Sequence, residues 1–127
     1  MNKIRLLTPE LEQAIKEYPL YSQDGLYGEA KCIAVFAFAQ IRWFIIEGEK
    51  DGDDVRLFGV VVGMHEDEYG YISLKELSEI EIDRTDRGFG ILKVRQQENW
   101  KPTPLKKILD PRLQKLLAKF QKEEVAG

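Results

Sequence analysis

The sequence predicts an α+β fold: one domain with a mainly antiparallel sheet, on which N-terminal, middle and C-terminal helices pack. Helix and strand patterns alternate along the 127 residues, the connections are short, and the central strand segments are apolar on both faces. Short connections favour antiparallel neighbours over the long crossovers of a parallel sheet. Strands that are apolar on both faces need cover on both sides. The chain has the length of a single domain, residues 1–127.

The first helix is predicted to begin at Thr8-Pro9-Glu10, where a hydroxyl N-cap precedes proline and a carboxylate. Its apolar positions recur with helical spacing on one face: Leu11, Ala14, Ile15 and Tyr18. Pro19 ends this helix. Residues 19–30 follow as a loop, because they are rich in glycine and polar side chains.

Three strand patterns come next, at residues 31–39, 41–47 and 55–62. The first two are joined tightly near Gln40, and the second connection contains Asp51-Gly52, a favoured hairpin turn pair. The sequence therefore predicts a three-stranded antiparallel meander at the centre of the sheet.

A fourth strand at 69–72 leads into Ser73–Glu76, a capping box that begins a short helix. Residues 80–84 and 90–95 have the pattern of two further strands. A helical turn at 104–109 precedes the final helix, which begins at Asp110-Pro111.

Composition excludes several classes of protein. Cys32 is the sole cysteine, so the chain forms no internal disulfide, and its apolar strand predicts a buried, structural thiol. No apolar run reaches the ~18–20 residues of a membrane span. We therefore expect no membrane segment and a cytoplasmic location.

The segment His65–Glu68, HEDE, carries four titratable side chains between two strands. An iron-binding His-x-Asp pair needs a second histidine, and a usual zinc site needs more than one cysteine and one histidine. A Mg²⁺ or Ca²⁺ site on the adjacent carboxylates stays open, although an extended strand does not converge three of them on one ion. The favoured interpretation is a solvated hairpin connection, and no metal ligand is assigned.

No catalytic residue is assigned, because His65 is the sole imidazole and no nucleophile motif is present. Glu47 ends an apolar strand on the alternating face of Trp43 and Ile45, so partial burial would make it an acid–base candidate. A position in water is the favoured interpretation. The aromatic residues either line a pocket or finish the edge of the core, and the core edge is favoured. The candidate pocket residues are Trp43, Glu47, Glu68 and Tyr71.

The C-terminal helix, residues 110–124, is predicted as a basic amphipathic element appended to the domain. Leucines and Phe120 occupy one arc, and a separate arc holds the candidate binding residues Arg112, Lys115, Lys119 and Lys122. This basic stripe is a solvated face, a phosphate-binding track or a protein-docking surface. No aromatic residue is interleaved with the lysines and the rest of the chain is acidic, which weighs against nucleic acid.

The chain resembles a family of small bacterial proteins known as a domain of unknown function and often encoded on plasmids and conjugative elements. Five blocks carry the resemblance, over roughly residues 4–110: LLTPEL (6–11), PLYSQDG (19–25), IIEGEK (45–50), LFGVVVG (57–63) and EYGYISLKELSEI (68–80). The resemblance implies a bacterial, mobile-element context and brings no activity.

These observations favour a non-enzymatic accessory protein that needs no cofactor and binds another macromolecule, protein rather than nucleic acid. Two alternatives stay open. One is an enzyme that uses carboxylates such as Glu47 and Glu68, with or without Mg²⁺. The other is a weak nucleic-acid binder that acts through the C-terminal helix. The oligomeric state and the strand order are not predicted.

Overall fold

Three α-helices and nine strands are present in the part of the chain that the computed structural model describes, residues 4–126, with side chains described as far as Phe120. The helices are α1 (Pro9–Glu17), α2 (Leu74–Glu79) and α3 (Pro111–Ala126). The strands are β1 (Lys31–Cys32), β2 (Ala34–Phe38), β3 (Ile41–Asp51), β4 (Asp54–Val62), β5 (Glu68–Ser73), β6 (Glu81–Arg84), β7 (Gly90–Lys93), β8 (Arg95–Gln96) and β9 (Thr103–Pro104).

The main sheet has five strands in the order β5-β4-β3-β2-β8, and its neighbouring strands are antiparallel. The meander β2-β3-β4 confirms the prediction from the sequence. β6 and β7 pair with each other in a separate hairpin, and β1 pairs with β9. Of the predicted strand at 90–95, only its last residue belongs to the main sheet, as the start of β8.

Helices cover the main sheet on both faces, as its apolar strands predict. On the first face, α1 and α2 pack against the sheet through residues such as Leu11 and Leu74. On the second face, α3 packs against Phe44 and Val60. The helix that the sequence suggested as an appended element supplies three residues of this second core: Leu113, Leu116 and Leu117. The arrangement confirms the α+β class.

The three helices begin at the residues that the sequence predicts. Thr8 Oγ1, Ser73 Oγ and Asp110 Oδ1 each accept the backbone N–H three residues later, at 3.1, 3.1 and 3.0 Å. Each of these bonds satisfies an N–H group that has no partner within its own helix.

A β-bulge at Ile46 interrupts β3. Ile45 and Glu47 lie opposite consecutive residues of β4, so Ile46 has no register partner there. Ile45 therefore packs into the first core, whereas Glu47 lies opposite Phe58, which packs on the second. The predicted placement of Glu47 on the face of Trp43 is wrong, because the bulge adds one residue to an alternation of period two.

Candidate functional site

Glu47 anchors a loop to the sheet. Its side chain is 2% exposed, which contradicts the favoured position in water; β3 continues past it to Asp51 instead of ending there. Glu47 Oε1 accepts a hydrogen bond from Tyr21 N at 2.8 Å, and Oε2 accepts one from Gln23 N at 2.7 Å. The carboxylate therefore fixes the loop of residues 19–30 against the bulge.

Gln23 completes this anchor with its side chain. Its Nε2 donates to Ile46 O at 2.7 Å and to Lys31 O at 2.9 Å, and its Oε1 accepts from Lys31 N at 2.6 Å. Gln23 and Glu47 are the two polar side chains classed as buried among those that the structure describes. Both are hydrogen-bonded, as buried polar groups need to be. We call this pair the Glu47–Gln23 anchor.

The anchored loop holds two aromatic residues in the left-handed conformation, with φ of 74° at Tyr21 and 47° at Tyr27. A non-glycine residue in this region costs about 1–3 kcal/mol and persists where surrounding contacts determine it. The hydrogen bond from Tyr21 N to Glu47 is such a contact. The anchor thus stabilises a strained loop conformation.

Below this loop, aromatic rings of β4, β5 and α3 meet on the second face. Phe58 stacks on Tyr69 with centroids 6.0 Å apart, and Phe120 meets Tyr69 edge-on at 5.1 Å. With Tyr27 and Asp24 from the loop, these residues line a cavity of about 260 Å³. We call it the aromatic cavity.

The hydroxyl of Tyr69 is buried and has no hydrogen-bond partner among the described residues. Burial raises the pKa of Tyr69, so the phenol is protonated at neutral pH and can donate a hydrogen bond. A buried polar group without a partner costs about 1–3 kcal/mol. A ligand that carries a polar group would remove this cost.

Tyr71 lies beside the cavity. It packs on Phe58, so Tyr69, Phe58 and Tyr71 form a row of rings with Tyr71 at its exposed end. The guanidinium carbon of Arg56 is 4.2 Å from the centroid of its ring. Its hydroxyl is 3.4 Å from that of Tyr21, and this contact raises the pKa of Tyr71. One ring of the row therefore already contacts a cation.

The four predicted pocket residues divide between the two faces of the sheet. Glu47 and Tyr71 lie in one row on the second face, next to the aromatic cavity. Trp43 is buried in the first core. Glu68 is exposed on β5 and lies on the same face as Trp43, because both residues are opposite Val61. The structure brings together Glu47 and Tyr71 and separates them from the other two.

The segment His65–Asp67 lies in the connection between β4 and β5, which confirms the predicted hairpin. The structure adds a contact to α3. Arg112 Nε is 2.8 Å from Asp67 Oδ2, and Arg112 Nη2 is 2.8 Å from Asp67 Oδ1. The Arg112 guanidinium holds the pKa of Asp67 below its usual range. Among the described residues, no group of three or more His, Cys, Asp or Glu could hold a metal ion.

The predicted basic stripe therefore contains one residue that is engaged within the chain. Arg112 makes a two-point contact to Asp67, while Lys115 and Lys119 are exposed. The side chain of Lys122 lies outside the described residues. Leucines on the opposite arc are buried, so α3 combines a packed face with a solvated face.

A second candidate surface is the β6–β7 hairpin, residues 80–93. Five apolar side chains here are exposed, Phe89 most at 72%: Ile80, Ile82, Phe89, Ile91 and Leu92. Ile82 lies opposite Leu92 across the ladder, and Ile91 lies opposite Asp83. Sequence patterns indicated both strands but not this surface, because a strand pattern does not reveal which strands join the main sheet.

Comparison of the chain with protein-family models, curated proteins and solved structures gave no match. No helix in the part of the chain that the structure describes is long and apolar enough to cross a membrane. The candidate sites therefore depend on the geometry of the chain itself.

Proposed function

We propose that the protein is a non-enzymatic protein-binding module whose contact surface is the β6–β7 hairpin. The strand that it accepts is β7 of a second copy, paired antiparallel, so that two hairpins join into one sheet. The observation that supports this most is the exposed and uncharged stretch Phe89–Leu92 at β7. Such a module is compatible with the bacterial, mobile-element context that the resemblance implies.

The β6–β7 hairpin would be stabilised by pairing with a further strand. A two-stranded hairpin is marginal in water, and three or more strands with an apolar face are needed for independent stability. Ile82 and Leu92 face each other across the ladder at 39% and 43% exposure. Pairing with a further strand would extend the sheet and remove this apolar surface from water.

The two outer edges of the hairpin differ in charge, and this difference selects β7. Two β6 strands paired antiparallel about Ile82 would set Glu81 of one copy against Asp83 of the other, a repulsive pair. Two β7 strands paired about Ile91 set Gly90 against Leu92 and Ile91 against its copy, and they place Lys93 opposite Phe89, so no like charges face each other. Natural edge strands are usually protected by charge or proline, and the stretch Phe89–Leu92 has neither.

Two residues that would serve the alternative functions make structural contacts. Arg112 forms an ion pair with Asp67, so its guanidinium is engaged within the chain rather than available to a phosphate group. The carboxylate of Glu47 accepts hydrogen bonds from two backbone N–H groups, which supports a structural role over acid–base catalysis. These contacts support the hairpin over the basic stripe and over a carboxylate-dependent enzyme.

The test is the molar mass of the full chain in solution, measured by sedimentation equilibrium over a range of concentrations. We expect the mass to rise from that of one chain toward that of two. Ile91→Lys should abolish the rise, because it places a charge in the centre of the paired edge and sets two lysines against each other.

Leu109→Lys is the matched control, since it introduces the same charge at an exposed apolar position outside the hairpin. It should retain association, with far-UV circular dichroism used to verify that both variants fold. A wild-type chain that stays monomeric at every concentration would overturn the proposal. An equal loss of association in both variants would exclude β7 as the paired edge.

A further inference from the structure

The lining of the aromatic cavity has the chemistry of a cation-binding site. Four aromatic residues and one carboxylate line it: Tyr27, Phe58, Tyr69, Phe120 and Asp24. Among the described lining residues there is no lysine, arginine or histidine. Aromatic faces carry the negative part of the ring quadrupole and attract cations. The cavity therefore combines a formal negative charge with electron-rich walls.

The rings are not all parallel, so they do not form a single flat surface. Phe58 lies within 16° of the plane of Tyr69, whereas Phe120 stands at 90° to Tyr69. A cation enclosed by aromatic rings needs rings in more than one orientation. Strand and helix supply the two orientations, and the loop held by the Glu47–Gln23 anchor supplies Tyr27.

Arg56 makes a cation–π contact with a ring next to the cavity. Its guanidinium carbon is 4.2 Å from the centroid of Tyr71, within the ~6 Å range of cation–π contacts. Tyr71 in turn packs on Phe58 with centroids 5.0 Å apart. Phe58 itself lines the cavity, so the ring that binds Arg56 contacts the cavity wall directly.

We propose that the aromatic cavity binds an alkylated ammonium group, with the rings in contact with the cation and Asp24 as its counter-charge. Alkyl substituents suit an aromatic lining, whereas a bare ammonium is strongly hydrated and costs more to remove from water. Tyr69 is one of the lining residues and carries a buried hydroxyl without a partner among the described residues, which a polar group of the ligand would satisfy.

The size of the cavity limits the ligand. Its volume of about 260 Å³ lies below the ~300–1,000 Å³ of pockets that enclose drug-sized ligands. The alkylated ammonium group is therefore a small free molecule, such as choline, or the end of a methylated lysine side chain. This binding is independent of pairing at β7, because no hairpin residue lines the cavity.

The first experiment titrates the isotope-labelled full chain with choline and follows its backbone amides by NMR. We expect saturable shifts at Gly25, Tyr27 and Tyr69. The neutral isostere 3,3-dimethylbutan-1-ol should bind about tenfold more weakly, because it has the same shape without the charge. Equal affinity for choline and the alcohol would overturn the proposal.

Variants assign the contacts. Asp24→Asn should weaken choline binding about tenfold, and Phe120→Leu should do the same, because each removes one attraction to the cation. Tyr18→Phe is the matched control, since Tyr18 packs against the first core on the other side of the sheet. It should leave choline affinity unchanged. An unchanged affinity in both cavity variants would contradict the site.

Tyr69→Phe separates the ring from its hydroxyl. It should weaken choline, which carries a hydroxyl group, several-fold and leave tetramethylammonium, which has no polar group, unchanged. A peptide with trimethyl-lysine, compared with the same peptide carrying unmodified lysine, distinguishes a protein side chain from a free amine as the source. Failure of choline, tetramethylammonium and the methylated peptide to bind saturably would overturn the proposal.

Discussion

The carboxylate of Glu47 accepts the backbone N–H of Gln23 at 2.7 Å, and the side-chain amide of the same Gln23 donates to the carbonyl of Ile46 at 2.7 Å. Gln23 thus donates hydrogen bonds both to the buried carboxylate of Glu47 and to the carbonyl of the bulge residue Ile46. Mutually satisfied buried polar groups strengthen one another in a low-dielectric interior. Loop and bulge therefore form one structural unit.

Replacing Glu47 with glutamine should lower the free energy of unfolding by about 2–3 kcal/mol. A glutamine side chain offers one oxygen and one NH₂ group, so one of the N–H groups of Tyr21 and Gln23 would face a donor. Urea unfolding at neutral pH measures the change. Glu49→Gln, at an exposed position of the same strand, is the control and should stay within about 0.5 kcal/mol of wild type. Equal stability of both variants would contradict the anchor.

Alanine at Gly59 and at Gly70 should have opposite effects, although the two residues are register partners on β4 and β5. A Cβ atom at Gly59 would lie 2.1 Å from Phe44 O, whereas one at Gly70 meets nothing within 4 Å. Gly59→Ala should destabilise by at least about 3 kcal/mol, because backbone must move. Gly70→Ala should stabilise by up to about 1 kcal/mol through lower unfolded-state entropy. Thermal and urea unfolding compare the pair, and similar values would be inconsistent with this close approach of β3 and β4.

The Asp67–Arg112 pair should couple the β4–β5 connection to α3 weakly but favourably, because solvent screens an exposed ion pair. A double-mutant cycle with Asp67→Asn and Arg112→Gln measures the coupling. Lys119→Gln, an exposed change on the same helix, is the control.

The coupling should depend on pH with a defined sign. The guanidinium of Arg112 lowers the pKa of Asp67 in the folded state. The contribution is therefore complete above the unfolded pKa of about 4 and is lost as the pH falls through the lowered folded pKa. A coupling that grows on acidification would contradict the assignment.

Cys32 should react with a disulfide reagent only after the protein unfolds. The side chain is fully buried, and burial raises the pKa of its thiol to about 12. The reactive thiolate is therefore scarce at pH 8, and access is blocked as well. The absorbance released from Ellman's reagent, with and without urea, measures this. Rapid stoichiometric labelling of the native protein would count against a buried thiol.

Local elements of the fold were predictable because their signals are local. Thr8, Ser73 and Asp110 each begin a helix through a bond to the backbone three residues later. The β3–β4 turn also has a local signal in Gly52, with φ of 62°, although its two residues are Gly52 and Asp53, between the paired Asp51 and Asp54, one position later than the predicted Asp51-Gly52. The apolar strands also predict that helices cover both faces of the sheet, because each buried strand has apolar residues on both of its faces.

The candidate site was predictable only in part. The sequence pattern points to Glu47 and Tyr71 but also groups Trp43 with them, because counting alternate residues along a strand does not detect the extra residue at Ile46. The partners of Glu47 are backbone N–H groups of the loop, and backbone contacts leave no trace in residue identity. Phe120 and Asp24 reach the cavity from distant parts of the chain, and such proximity is set by tertiary packing.

The bulge at Ile46 also bears on how this scaffold could be redesigned. The residues on either side of it keep the same partners on β4 whether or not it is present, so its removal would reverse no face of the sheet. Its removal would take away the carbonyl to which the Gln23 side chain donates. The extra residue thus serves the loop and, through its buried side chain, the second core rather than the strand pairing. Grafting the loop of residues 19–30 onto another sheet would require transferring the bulge with it, as one cassette.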